Sequence, residues 1–376
     1  MSAPDLAQSA PDRPLGASAR RPSAPDRPTT VPDGGSDVGG RPRHLLSVAA
    51  LSRGRLEELL ALTEVFVEVA GRDIPRVPAL RGRSVALCFF EDSTRTRLSF
   101  ELAAKRLSAD VVSFAAASSS LNKGESLRDT VETIDAMGVD LMVVRHRASG
   151  VPAQVSRWVR AGVVNAGDGW HEHPTQALLD CFTLRRALAA RGRVQPGLEG
   201  LRIGIVGEVE HSRVARSDVA AFATLGAEVV VVSPPTLRPS SVGRWPARFT
   251  SALDPELPEL DALYVLRLQR ERMGSHVLPG LREYRACYGV DARRAAMLPP
   301  HAVVLHPGPM NRGVEIDAEV ADSPRSLVLE QVASGVPARM AVLSWLAGGE
   351  HHRPTPSPVD AEAESGLGAG GGRSGV

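Results

Sequence analysis

The sequence predicts an α/β protein of two domains, each a parallel sheet covered by helices. Three observations carry that expectation. Short, β-rich apolar runs alternate with helical stretches from about residue 44 to 348. Apolar strands set between amphipathic helices are the pattern of parallel sheets buried on both faces. At 376 residues the chain is also long enough for two domains or one large one.

The elements follow in order. Leu56, Leu59, Leu60, Thr63, Phe66, Val67 and Ala70 fall at i, i+3, i+4 spacing and predict a first helix. SVALCFF (84–90) predicts a strand leading into a helix over about 94–107, and DVVSFA (110–115) a second strand. Ser126-x-x-Asp129 starts a helix that stops at Gly138. DLMVVR (140–145) and GVVNA (162–166) read as strands, and Pro174 as the first residue of a helix to about 190. A second half begins near LRIGIVG (201–207), followed by a helix to about 225 and strands at 227–233, 262–267 and 302–306. The domains are expected at 44–185 and 186–348, Rossmann-like, with the cleft between them and the first and last helices packing across. Residues 1–43, where SAPDRP occurs at 9–14 and 23–28, and 349–376 are too rich in Pro, Ala, Gly and Ser to bury a core. Both are expected to be disordered tails.

Bulk properties exclude several classes. A net charge of +1 gives no general nucleic-acid or membrane surface. No apolar run reaches the roughly 18 residues of a membrane span, and no signal sequence opens the chain. Cys88, Cys181 and Cys287 are far apart and form no CxxC pair, which points to a reducing cytoplasm rather than disulfides or zinc. HEH (171–173) and His351–His352 do not amount to a metal site, so no metal or cofactor is expected. GIVGEVE (204–210) follows a strand but lacks the G-x-G-x-x-G spacing of a dinucleotide site.

Six polar clusters lie at strand ends, where open α/β sheets bind ligands. They are EDSTRTR after 84–90, RHR after 140–145, GDGWHEHPTQ after 162–166, GEVEHSR after 201–206, RLQRER after 262–267 and HPGPMNR after 302–306. Spread over both halves, they are expected to face one cleft. Ser93 is on one reading an ordinary helix cap. On the other, the helix amino end, the hydroxyls of Ser93, Thr94 and Thr96 and the guanidinium of Arg95 make a phosphate cradle without P-loop glycines. Only two of 44 basic residues are lysines, Lys105 and Lys123, so a lysine in the Ser/Gly loop around 123 points to a need for a compact ammonium. Arg95, Arg145, Lys123, Arg213 and Arg267 are enough cations for a phosphate and a dicarboxylate. Glu91, Glu208 and Glu210 read as cleft-lining or ion-paired groups.

FFEDSTRTRLSFE closely resembles the carbamoyl-phosphate signature of the aspartate/ornithine carbamoyltransferases. SSSLNKGESLRDT, VVRH, HPTQALLD, HSRVARS, RLQRER and HPGPMNRG continue the resemblance in family order, across about 44–348. RLQRER and HPGP look like the aspartate branch; the ornithine branch is expected to carry Ser-Met-Gly and His-Cys-Leu-Pro. The resemblance implies that Ser93, Thr94, Arg95 and Thr96 bind the phosphate of carbamoyl phosphate. It places Arg145, His173 and Gln176 at the carbamoyl end, with Gly308 and Pro309 holding the amide through their carbonyls. Arg213 and Arg267 would take the carboxylates of aspartate, with Gln269 nearby. Lys123 matches a loop residue that in the family enters the neighbouring subunit's site, implying a homotrimer with shared sites. Arg95, Thr96, Arg145 and His173 are the implied catalytic groups, His173 as a hydrogen-bond donor rather than a base. Asp92 stands where the family usually has Pro, and either Ser119 or Ser120 is the serine partner in the Lys123 loop. The implied reaction carbamoylates L-aspartate in pyrimidine (UMP) biosynthesis, with regulatory or pathway-enzyme partners. The alternatives are a carbamoyltransferase for another amino acid such as ornithine and, from a different class, a dinucleotide-binding oxidoreductase.

Overall fold

The computed structural model describes residues 42–115, 125–193, 197–269 and 280–348. The two expected tails, apart from residues 42 and 43 and the terminus of the body, lie outside the described residues. So do Ser119, Ser120 and Lys123, and with them the expected intersubunit loop.

The first half opens with α1 (Arg53–Ala70) and contains β1 (Ser84–Phe89), α2 (Thr94–Arg106), β2 (Asp110–Ala115) and α3 (Leu127–Ala136). It continues through β3 (Leu141–His146), α4 (Val151–Trp158), β4 (Gly162–Asp168) and α5 (Pro174–Ala189). Its four strands are parallel, in the order β2-β1-β3-β4. Every residue of β4 and five of the six in β1 and in β3 are buried, as strands covered on both faces must be. The segment before α1 extends this sheet: Leu45 N–H donates to Val163 O at 2.8 Å, and Asn165 N–H donates to Leu45 O at 2.8 Å.

The second half contains β5 (Arg202–Val206), α6 (Arg213–Thr224), β6 (Glu228–Val232), β7 (Arg248–Thr250) and β8 (Ala262–Val265). It ends with α7 (Leu281–Tyr288), α8 (Ala292–Met297), β9 (Val303–Leu305), α9 (Ala318–Ala321) and α10 (Val328–Ala347). Five parallel strands run β7-β6-β5-β8-β9. The fold is therefore α/β with two helix-covered parallel sheets. The strand β7 and the helices α4, α7, α8 and α9 were not among the expected elements.

Local chemistry explains the boundaries. Ser52, Ser126 and Ser212 each cap the helix that follows, accepting from a backbone N–H three residues on. The last helix is apolar nearly all round, as one buried on several sides must be. It packs against α1, α2 and α5, with Met340, Ala341, Leu343 and Trp345 in the same core cluster as Leu56, Leu59 and Phe182.

In each sheet the strand order reverses once, between β1 and β3 and between β5 and β8. At such a reversal the flanking loops part and leave a crevice beyond the strand ends. The polar clusters after β1, β3, β5 and β8 sit at these two reversals.

Candidate active site

A cavity of about 670 Å³ opens at those crevices. All six clusters contribute to its wall, among them Thr96, Arg145, His173, Arg213, Arg267 and Gly308. The amino ends of α2, α5 and α6 open on it, so three positive helix ends converge there.

Ser93 is the cap residue of α2 and is extended, with φ −162° and ψ 91°, yet its side chain makes no capping bond. Its hydroxyl is thus not committed to the helix in the way those of Ser52, Ser126 and Ser212 are. Thr94 and Arg95 are the first two helical residues, and Thr96 is buried below them. Burial lowers the pKa of the Arg95 guanidinium, and the nearby charge of Arg267 lowers it further. Two cations from different halves of the chain therefore share one field. The cap position belongs to Ser93 and not to Asp92, which is exposed at the rim.

Arg145 leaves the end of β3 and Arg213 begins α6. Both reach Glu91, which opens the polar cluster after β1. Arg213 Nη2 donates to Glu91 Oε1 at 2.5 Å and its Nη1 to Oε2 at 3.0 Å. Arg145 Nη2 donates to Oε1 at 3.2 Å, and its Nη1 to Ala166 O at 3.1 Å. Gly167, at φ +113°, lets the two guanidiniums pass: a Cβ there would stand 2.8 Å from Arg145 Nη1 and 3.3 Å from Arg213 Nη1. Glu91 is thus ion-paired, and Glu208 is bound to His211 Nδ1 at 2.8 Å.

His173 caps α5 just before Pro174, and its N–H donates to Ser217 Oγ at 2.9 Å. Burial, then the charges of Arg145, Arg339 and Arg213, push its pKa well below the usual histidine value. The ring is neutral at neutral pH, so it has one N–H to give and does not carry a charge. The three residues of HEH diverge. His171 binds Asp168, Glu172 accepts from Ser47 and from Val48 N–H, and only His173 faces the cavity. Gln176 lies one turn along α5, its Nε2 donating to both oxygens of Asp180 at 3.1 Å.

Beyond β9, Gly308 N–H donates to His306 Nδ1 at 2.8 Å, and His306 Nε2 meets Glu315 Oε1 at 3.2 Å. His306 N–H donates to Gln331 Oε1 at 3.0 Å, which ties this loop to α10. The Gly308–Pro309 peptide is cis, and Gly308 has φ +57° with the Arg95 guanidinium pressed against the place a Cβ would fill. Gln269 Oε1 is buried with no hydrogen-bond partner among the described residues.

The family model described as the aspartate/ornithine carbamoyltransferase carbamoyl-P binding domain matches residues 43–186, and that described as the Asp/Orn binding domain matches residues 199–346. The chain belongs to the aspartate/ornithine carbamoyltransferase family. Among curated members, the aspartate carbamoyltransferase catalytic subunit of Acidothermus cellulolyticus is 57% identical over 307 residues, covering 82% of this chain and 93% of that protein. That of a Nocardioides species is 58% identical over 309 residues, covering 82% and 95%. Of the solved structures, Trypanosoma cruzi aspartate transcarbamoylase in complex with carbamoyl phosphate and aspartate has a TM-score of 0.72 and 31% identity, covering 80% of this chain and 96% of that one.

Three polar side chains of the cavity wall lie outside the six clusters and were not expected there. Ser99 stands on α2, and Gln331 and Arg339 stand on α10. Arg339 Nη1 donates to Ser99 Oγ at 2.9 Å and to Gly335 O at 3.0 Å. A lone arginine within the apolar run VPARMAVLSW was the signal that could have found it. Among the described residues no cluster of His, Cys, Asp and Glu could hold a metal, and no helix is long and apolar enough to cross a membrane.

Proposed function

We infer that this chain transfers the carbamoyl group of carbamoyl phosphate to the amine of L-aspartate, giving N-carbamoyl-L-aspartate and phosphate. The observation that carries the reading is a single cavity whose cations come from both halves of the chain, Arg95 and Arg145 from one and Arg213 and Arg267 from the other. Two anions bound side by side need such an arrangement. The Trypanosoma cruzi aspartate transcarbamoylase in complex with carbamoyl phosphate and aspartate, and the same enzyme in complex with N-(phosphonacetyl)-L-aspartic acid, support these substrates for it.

In this reading Ser93, Thr94, Arg95 and Thr96 take the phosphate at the amino end of α2, where backbone N–H groups and the helix dipole favour an anion. Arg145, Thr96 and neutral His173 donate to the carbamoyl oxygen and stabilise the charge that grows on it when the amine attacks. Gln176 and the carbonyls of Gly308 and Pro309 receive the carbamoyl amide. Arg213 and Arg267 take the carboxylates of aspartate, and Gln269 Oε1, an acceptor lacking a protein partner among the described residues, suits the amine. The departing phosphate accepts the amine's proton. Holding both reactants in register is itself worth up to about 7–11 kcal/mol of barrier.

We propose further that 44–185 and 186–348 form the carbamoyl-phosphate and aspartate domains. Lys123 completes a neighbour's site in a cytoplasmic homotrimer that serves pyrimidine synthesis, alone or with regulatory or pathway-enzyme partners. The purified chain should form N-carbamoyl-L-aspartate from carbamoyl phosphate and aspartate, with no added metal or cofactor. Product only with ornithine, or none with either, refutes the assignment.

A further inference from the structure

We propose that Asp180 is a positioning residue for the carbamoyl group. It holds the Gln176 amide with its nitrogen turned into the protein and its carbonyl oxygen turned to the cavity. The proposal deepens the carbamoyl-transfer reading and rests on it.

Asp180 is fully buried on α5, one turn after Gln176. It accepts from the Tyr264 hydroxyl at 2.8 Å, from Gln331 Nε2 at 2.6 Å, and from Gln176 Nε2 at 3.1 Å on each oxygen. An ionised carboxylate only accepts hydrogen bonds, so it dictates which end of each amide faces it. Gln176 and Gln331 both turn their nitrogens to Asp180. The Gln331 oxygen thereby meets His306 N–H, and the Gln176 oxygen is left at the cavity wall.

Two neighbours keep Asp180 an acceptor. Asp218, fully buried on α6, lies against Asp180 and Tyr264, with no well-formed hydrogen bond to either of its oxygens among the described residues. Two carboxyl groups this close and this dry cannot both ionise. Burial, and then the charge of Asp180, push the Asp218 pKa well above the usual carboxyl range, so Asp218 keeps the proton. Burial pushes the Asp180 pKa up to about 6, but the hydrogen bonds from Gln331, Tyr264 and Gln176 and the positive charge of buried Arg339 favour its ionised form, so it remains an acceptor at neutral pH.

The consequence is selectivity. Carbamoyl phosphate carries an NH₂ group that can donate to the Gln176 oxygen, whereas acetyl phosphate carries a methyl group in its place. Asp180→Asn removes the bidentate acceptor and frees the Gln176 amide to flip. Carbamoyl phosphate should then bind about tenfold more weakly, the worth of one hydrogen bond, while inhibition by acetyl phosphate moves less than about twofold. Equal losses for the two ligands would mean a merely structural role, and no loss for carbamoyl phosphate would mean no role; either overturns the proposal. A second measurement uses the unaltered protein. The chain has six glutamines, so the side-chain amide signal of Gln176 is found in ¹⁵N-glutamine-labelled protein by its disappearance in Gln176→Met. Without ligand, slow solvent exchange of those amide protons supports the Asp180 anchor, and fast exchange refutes it. This measurement does not depend on turnover, so it stands apart from failure of the carbamoyl-transfer assay.

Discussion

Replacing Glu91 by Gln tests the ion-pair geometry at the centre of the cavity. Glu91 holds Arg213 at 2.5 and 3.0 Å and Arg145 at 3.2 Å. The side chains are 18%, 5% and 10% exposed, so solvent screens these contacts little. A hydrogen bond to a charged group contributes about 1.5–3 kcal/mol. The amide keeps one acceptor oxygen and loses the charge, while relief of the carboxylate's burial offsets part of that loss. A net destabilisation of about 2 kcal/mol follows, or a fall in Tm of about 3 °C for a folded body of about 300 residues. With nothing negative between them, the two guanidiniums that pass at Gly167 repel and splay. Arg213 then loses its aim, and KM for aspartate should rise about tenfold, equivalent to about 1.4 kcal/mol. Calorimetric melting and an aspartate saturation curve read the two effects. An unchanged Tm together with an unchanged aspartate dependence would refute the reasoning. So would tighter aspartate binding, since it would mean that Glu91 competes for Arg213 instead of orienting it.

Other outcomes follow from the same site. His173→Ala should lower turnover while calorimetry still detects carbamoyl phosphate binding; unchanged turnover removes His173 from the mechanism. Because the folded protein holds His173 neutral below its unfolded pKa, the unfolded chain takes up the extra proton as pH falls below about 6.5. The His173 contribution to stability is therefore full above that pH and declines beneath it, and His173→Ala should lose less Tm than the parent between pH 7 and 5. Arg267→Ala should weaken aspartate saturation far more than carbamoyl phosphate saturation, and an unaltered aspartate curve rejects its placement. Gly308→Ala forces a side chain into left-handed backbone and onto Arg95. It should cost about 1–2 kcal/mol in stability. It should also raise KM for carbamoyl phosphate at least tenfold, and a normal KM would show that Arg95 can move aside without loss.

Much of the fold was legible because its signals are local. Ser126 caps its helix, Pro174 opens α5, and the apolar runs before 90, 115 and 145 are strands within a residue or two of the expected ends. The strand β7 escaped because it is three residues long and only partly buried, so its sequence carries little apolar pattern. Val69, not Val67, is buried in α1, because the core contacts that helix along a stripe slightly rotated from the expected one. The six polar clusters were visible as residue types at strand ends. What holds them was not: Glu91 meets Arg213 across 122 positions, and Arg339 meets Ser99 across 240. Such partners are chosen by the packing of α10 and the two strand reversals, which no short window of sequence contains.

The return of α10 to the helices of the first half has a consequence for biosynthesis. The helix contributing Met340, Leu343 and Trp345 to the core beside Leu56 and Leu59 is the last structured part of the body to leave the ribosome. The amino-terminal half is translated first but completed last, its apolar flank waiting for a segment some 160 residues past its final strand. During that interval the nascent chain presents an unfilled hydrophobic seat, a natural foothold for chaperones.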